Sequence, residues 1–426
     1  MILLIFLITL FVPMLFRVPI AFALLFSGFS LMIALNNFDT RIMATNLMQG
    51  VDSYALLAVP FFILAGELMN AGGISNRIIK FATAYIGHIK GGMGYVAIMG
   101  TLLFAGLSGS IIADTAALGA ILIPMMSKIG YERRRSTGLI ASGGIIAGII
   151  PPSIPLILLG ITGDISISKL FIGGIIPGIL IGVSLASVWW FLNRNDSAKT
   201  TERMSWRERL YTTKDAVWAL LMPFIIIIGL RGGVFTPTEA GAVAVAYALF
   251  VGIFIYRQLK LKDLYKVLLS ATETTSIVVF LIGGAMVTGW LITIANIPEQ
   301  VIGLLNPFIE HPLIVLLLIA LFTLVLGTVM DLTPNVLIMT PVFMPLVTEA
   351  GIDPIHFGIV FVYANTLGML TPPVGTVINV ASGVGKISYN NVVKGIFPFF
   401  VAEVALLIVF VFIPDIILIP VDILMK

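Results

Sequence analysis

Two stretches decide the reading of this chain: GIIPPSIP at residues 148–155 and GMLTPPVGT at residues 368–376. Each places a Pro-Pro pair inside a long apolar run. Proline has no N–H to donate and its ring clashes with the preceding turn, so two in succession divide a helix into halves. The carbonyls freed at 147–150 and 368–371 are then able to coordinate a cation. The half-helices that restart near Ser153 and Val374 direct positive partial charge toward an anion. Irregular backbone at membrane depth persists only where protein or a water-filled cavity surrounds it.

The surrounding chain is a membrane chain. Of its 426 residues 59% are hydrophobic and 11% charged, against about a quarter charged in soluble domains. Apolar segments fall near 2–16, 18–35, 52–74, 91–108, 111–127, 137–163, 171–192, 216–230, 238–256, 267–292, 312–329, 332–348, 356–384 and 389–413. Many approach the roughly 20 residues of a bilayer span, and none shows the alternation of a transmembrane β-strand. The expected fold is an all-α polytopic membrane protein. Residues 77–90 are amphipathic and are expected to lie along the interface. The start, MILLIFLITLFVPMLF, has no charged leader and reads as a retained first helix. The chain has no cysteine, which excludes disulfides, thiolate catalysis and cysteine zinc sites.

Charge placement supplies the topology. Six Lys/Arg lie in 193–215, four in 256–266 and four in 127–136, and the positive-inside rule assigns all three loops to the cytoplasm. The loops at 293–311 and 348–356 carry neither Lys nor Arg and are expected outside. Arg17, Arg77, Lys80, Lys90, Lys386 and Lys394 then join the inside set, and Arg41, Lys169, Arg231 and Lys426 stand outside. Twenty of 24 basic residues fall inside, with both termini external. The charge sits in loops flanking bilayer spans, so a lipid bilayer is the expected surrounding and nucleic acid is not an expected partner.

The Pro-Pro pairs lie 221 residues apart, and the same offset relates Gly106 to Gly327, Pro124 to Pro345, Gly130 to Gly351, Gly174 to Gly395 and Pro177 to Pro398. The charge-derived topology makes the two repeats inverted. One hairpin, with its tip in GLSGSIIADT (106–115), enters from the cytoplasm; the other, with its tip in GTVMDLTPNV (327–336), enters from outside. Inverted repeats with discontinuous helices mark secondary transporters, whose site lies near the midplane between the halves.

The offset relates Ser110 to Asp331 and Asp114 to Asn335. A carboxylate in hydrocarbon costs about 2.5–3.5 kcal/mol on insertion scales and so faces a cavity or a partner. Asp331 and Ser110 are therefore expected on opposite walls of one central site, with Asp331 holding a cation or accepting from substrate hydroxyls. Asp331 would also suit the N-cap of the helix that follows it. Ser108, Ser153, Thr328, Thr371, Thr376 and Asn379 are further candidates; Glu67, Glu239, Glu273 and Glu403 read as structural. No enzyme is indicated: GVGKIS (383–388) lacks the first glycine and the Ser/Thr of a P-loop, and HExxH and GxSxG are absent.

The segments AGLSGSIIADTAALGAILIPMM, GIIPPSIPLILLG, VMDLTPNVLIMTPVFMPL and GMLTPPVGTVINVAS resemble, in order, those of the large membrane (M) subunit of tripartite ATP-independent periplasmic (TRAP) transporters, the DctM-like family. The resemblance implies import of an organic acid (a C4-dicarboxylate, sialic acid or another sugar acid) across the inner membrane of a bacterium or archaeon, driven by Na⁺. It implies a periplasmic substrate-binding protein and a small (Q-type) membrane subunit, expected as a separate chain because this one starts at the M portion. It also implies an elevator in which residues 91–180 and 312–400 move as a transport domain. Residues 1–90 and 181–311 would brace it, with 401–426 a C-terminal tail. Family sodium sites pair a hairpin tip with a broken helix, which here gives Ser108 and Ser110 with Pro151, and Gly327, Thr328 and Asp331 with Thr371. The substrate site lies between, at Ser110, Ser153, Asp331, Thr376 and Asn379. Basic side chains are absent from the predicted core, so bound Na⁺, helix N-termini and hydroxyl or amide donors must hold an anion. A stand-alone ion-coupled anion carrier that needs no binding protein is the alternative.

Overall fold

A computed structural model describes residues 2–16, 18–36, 38–194 and 200–425. Arg17, Lys199 and Lys426, which enter the charge argument above, lie outside the described residues. The described chain is helical, and seven helices in it are long and apolar enough to cross a bilayer.

Two copies of one unit organise the molecule. Gly92–Ser108 and Ile111–Lys128 form the first hairpin; Arg133–Gly144, a 3-10 turn at Ile145–Gly148 and Ile154–Thr162 form the first broken helix. Pro312–Gly327 and Leu332–Glu349 form the second hairpin; Pro354–Gly368 and Thr376–Gly385 form the second broken helix. A long helix follows each, Ile167–Asn193 and Tyr389–Phe412. Helix starts in the two units correspond at offsets of 220–222 residues. The apolar segments 137–163 and 356–384 are thus interrupted where the proline pairs predict.

The halves exchange their packing. Ile111–Lys128 packs on Thr376–Gly385, and Leu332–Glu349 packs on Ile154–Thr162. Two glycines expose the reciprocity. A Cβ on Gly119 would lie 3.1 Å from Val384 Cγ1, and a Cβ on Gly163 would lie 3.1 Å from Thr340 Cγ2. Adding 221 to Gly119 and to Gly163 gives Thr340 and Val384. The contact maps onto itself with its partners interchanged, as a two-fold axis between the repeats requires.

A frame of other helices flanks the repeats. Leu261–Ile294 packs against Ile20–Ala34, Thr40–Val51, Ala58–Ala71 and the second hairpin, and Thr288 Oγ1 donates to Leu24 O at 2.9 Å. The amphipathic segment forms helix Ile74–Ile86 and packs on Trp206–Arg231. Arg77 Nε meets Asp215 at 3.1 Å, and the Arg77 guanidinium covers the Tyr256 ring at 3.7 Å.

Three helices had no counterpart in the hydropathy reading. Thr40–Val51 is too polar to register as an apolar run; Asp39 caps it by accepting from Arg41 N at 2.7 Å. Ile297–Leu305 sits inside a segment read only as an external loop, and Asp415–Leu424 restarts beyond Pro414.

Close backbone contact between the first broken helix and the last long helix supplies a stability test. A Cβ on Gly138 would lie 2.2 Å from Gly395 C, backbone against backbone, with no side chain able to yield. Gly138→Ala is expected to destabilise the protein by about 1–3 kcal/mol. Gly383, with nothing within 4 Å of its Cβ position, is the control: Gly383→Ala should leave the melting temperature in detergent unchanged or slightly raised.

Candidate functional site at the hairpin tips and helix breaks

At the first tip, helix Gly92–Ser108 stops at Gly109, whose φ of +62° is left-handed. A Cβ there would lie 2.4 Å from Pro152 O, so only glycine lets the tip rest on the first break. Ser110 then caps helix Ile111–Lys128, accepting from Ala113 N at 3.4 Å. Behind it, Ser108 Oγ donates to the Asp114 carboxylate and accepts from Ser110 N at 3.2 Å. Asp114 is 1% exposed, and its Oδ2 has no partner among the described residues.

At the first break, Ser153 Oγ donates to Gly148 O at 2.7 Å and accepts from Leu156 N at 3.4 Å. The freed carbonyl and the exposed amide of the interruption are thus answered by one hydroxyl. Pro151 and Pro152 are buried.

The second tip meets the second break in the same way. A Cβ on Gly327 would lie 2.6 Å from Asn365 O. Thr328 O accepts from Val374 N at 3.1 Å and from Gly375 N at 3.3 Å, the two residues that lead into the restarting half-helix. Asp331 occupies the N-cap position of Leu332–Glu349 but its side chain makes no capping bond, so capping is not its use here. Asp331 Oδ1 and the hydroxyl of Thr376 are shielded from solvent; the two side chains face each other, and neither atom meets strict hydrogen-bond geometry with any described residue. Unlike the first break, Pro372 and Pro373 are exposed. Both Pro-Pro bonds are cis.

The two tips meet across one cavity of about 450 Å³. Ser110 and Ile112 line it from the first hairpin, Asp331 and Thr333 from the second, Ile154 and Met369 from the breaks, and Phe22 and Thr274 from the frame. No Lys or Arg lines it.

The predicted residues therefore separate into groups. Ser110 and Asp331 share the cavity wall. Ser108, Pro151, Gly327 and Thr328 lie at the tip–break contacts. Thr376 stands beside Asp331, and Thr371 turns its hydroxyl onto Leu367 O at 3.0 Å. Of the five residues expected to bind substrate, three do not line the cavity: Ser153 is buried as a cap, Thr376 stands beside Asp331, and Asn379 is exposed, its Nδ2 donating to Val374 O at 2.9 Å.

Three residues were missing from the site read in the sequence. Asp114, Asn335 and Asn365 are fully buried, and each keeps side-chain atoms unpaired among the described residues. Their signal was available: polar side chains in spans, at the corresponding position of the second tip (Asn335) or three residues before a break glycine (Asn365).

Comparison with known proteins agrees with this geometry. Residues 7–416 match the family described as the tripartite ATP-independent periplasmic transporter, DctM component. The chain is 50% identical over 402 residues to the 2,3-diketo-L-gulonate TRAP transporter large permease protein YiaN of Escherichia coli, covering 94% of this chain and 95% of that one. It is 38% identical over 383 residues to the sialic acid TRAP transporter large permease protein SiaM of Vibrio cholerae, covering 90% of each. The crystal structure of the YdaH transporter of Alcanivorax borkumensis, at 14% identity, superposes with a TM-score of 0.61 over 88% of this chain and 89% of that one, a likeness of fold alone. The chain belongs to the DctM family of TRAP transporter large permeases, which are transport subunits and not enzymes.

Proposed function

We propose that this chain carries an organic acid inward across the cytoplasmic membrane in symport with Na⁺. A periplasmic binding protein delivers the acid, a small membrane subunit completes the complex, and the two repeats move together as an elevator against the remaining helices. In this reading both termini are periplasmic. The observation that carries it is the cavity between the tips, which lacks a cationic side chain yet must receive an anion. The charge has to come from bound cations and from the positive ends of half-helices.

The donor set suits Na⁺. Hard cations take oxygen ligands, and the unpaired buried oxygens here belong to Asp114 at one tip and to Asp331, Asn335 and Asn365 at the other. The described residues hold no cluster of three His, Cys, Asp or Glu. Ser108 and the Pro151 carbonyl region would complete the first cation site, and Thr328, Gly327 and the Thr371 turn the second. Ser110, Asp331 and Thr376 would then present hydroxyls and a carboxylate to the substrate's hydroxyl groups. The relative named for 2,3-diketo-L-gulonate is 50% identical, against 38% and 37% for those named for sialic acid and for C4-dicarboxylates, which favours a sugar acid.

Reconstitution tests the assignment. Proteoliposomes holding this chain and its small subunit should take up the acid only with an inward Na⁺ gradient and only with the binding protein added. Uptake without the binding protein would instead identify a stand-alone carrier.

Asp331→Asn preserves shape while removing charge. It is expected to raise the Na⁺ concentration for half-maximal uptake about tenfold or more, with the protein still monodisperse. Wild-type Na⁺ dependence in this variant would exclude Asp331 from cation binding.

A further inference from the structure

The amphipathic helix Ile74–Ile86 ends beside the connector and the start of Trp206–Arg231, where polar groups gather that the transport site does not use. Tyr85 OH shares a hydrogen bond with Thr213 Oγ1 at 2.8 Å. One turn earlier on that helix, the Arg209 guanidinium sits 5.8 Å from the centroid of the Tyr85 ring. A Cβ on Gly87 would lie 2.8 Å from Thr201 Oγ1, so the connector touches the arm at the residue before His88. Four polar atoms of this corner are shielded from solvent and have no partner among the described residues: Arg209 Nε, Arg209 Nη2, His88 Nδ1 and Thr201 Oγ1.

The chemistry of this set is selective. Nε and Nη2 form the edge of a guanidinium that grips two oxygens of a carboxylate or phosphate. Among the described residues, Arg209 is the only cationic side chain whose buried N–H groups are left unpaired. Two acidic groups on the same helix are engaged elsewhere, and Glu202, beside Thr201, is exposed. Glu208 accepts from Ser205 N at 2.7 Å and Ser205 Oγ at 2.8 Å, and Asp215 pairs with Arg77. An unpaired buried donor costs about 1–3 kcal/mol, and more when charged. Several together mark a missing acceptor with more than one oxygen, and a phosphate supplies them. The corner also has the character of a membrane surface. On the same helix Trp206 is 66% and Tyr211 75% exposed, with Arg203 and Arg207 close in sequence. Aromatic side chains settle at headgroup level and basic clusters attract anionic lipid.

We propose that His88, Thr201 and Arg209 bind the phosphate of an anionic phospholipid headgroup where the amphipathic arm meets the basic connector. The lipid clamps the arm to helix Trp206–Arg231, beside the Tyr85–Thr213 bond and independently of the cation sites.

Purified full-length protein in detergent is probed with phosphatidylglycerol, phosphatidylcholine or inorganic phosphate, by thermal unfolding and native mass spectrometry. Phosphatidylglycerol should raise the melting temperature and remain bound, and phosphatidylcholine should do neither. Arg209→Gln should bind phosphatidylglycerol about tenfold more weakly, with smaller losses for His88→Ala and Thr201→Val. If Arg209→Gln does not fold, the other two variants decide. Equal stabilisation by inorganic phosphate and by phosphatidylglycerol would overturn the lipid assignment in favour of the free anion. Phosphatidylglycerol binding unchanged in the folded variants would overturn the site itself.

Discussion

An interrupted helix inside a bilayer must find partners for its freed amides and carbonyls within the protein, because lipid offers none. The rest of the architecture follows from how this chain meets that demand. At the second break the Thr328 carbonyl accepts the two amides that lead into the restarting half-helix; at the first, Ser153 joins the two sides of the gap with one hydroxyl. Each hairpin turns so that its tip lies against a break. The glycines at 109 and 327 are needed because tip and break touch backbone to backbone.

Duplication turns two such solutions into one cavity. The second arm of each hairpin leans on the half-helix of the other repeat, so neither repeat is a separate body. The reciprocal contacts Gly119–Val384 and Gly163–Thr340 hold the two tips in register. Chemistry is not duplicated along with shape. Corresponding tip positions hold Ser110 and Asp331, and Asp114 and Asn335, so each tip carries one carboxylate at a different level. Asp331 looks into the cavity, whereas Asp114 is buried behind Ser110 and engaged by Ser108. The same shape thus gives the cavity two unlike walls, one with a hydroxyl foremost and one with a carboxylate.

Much of this was legible before any coordinates, because proline and glycine act locally. A Pro-Pro pair breaks a helix whatever surrounds it, and a fixed offset between such pairs survives divergence of the side chains. Asp331 was legible as a charge in an apolar run. What could not be read were the outcomes of packing. Ser153 is spent on capping and Asn379 on a backbone carbonyl, uses that compete with ligand binding and depend on where the chain turns. Asp114 stood out less than Asp331 because its burial behind Ser110 is a tertiary fact. The helix Thr40–Val51 escaped because its sequence is polar, and the exchange of half-helices because it joins residues hundreds of positions apart.

In the proposed function, cations supply, at the two tip–break contacts, the positive charge that side chains do not. The most direct measurement is a pair of ion-resolving maps of the protein, one recorded in Na⁺ and one in choline. The expected result is density beside Asp114 and Ser108 and beside Asp331 and Thr328 that is present in Na⁺ and gone in choline. Identical maps at both tips, or Na⁺ bound only away from them, would contradict it.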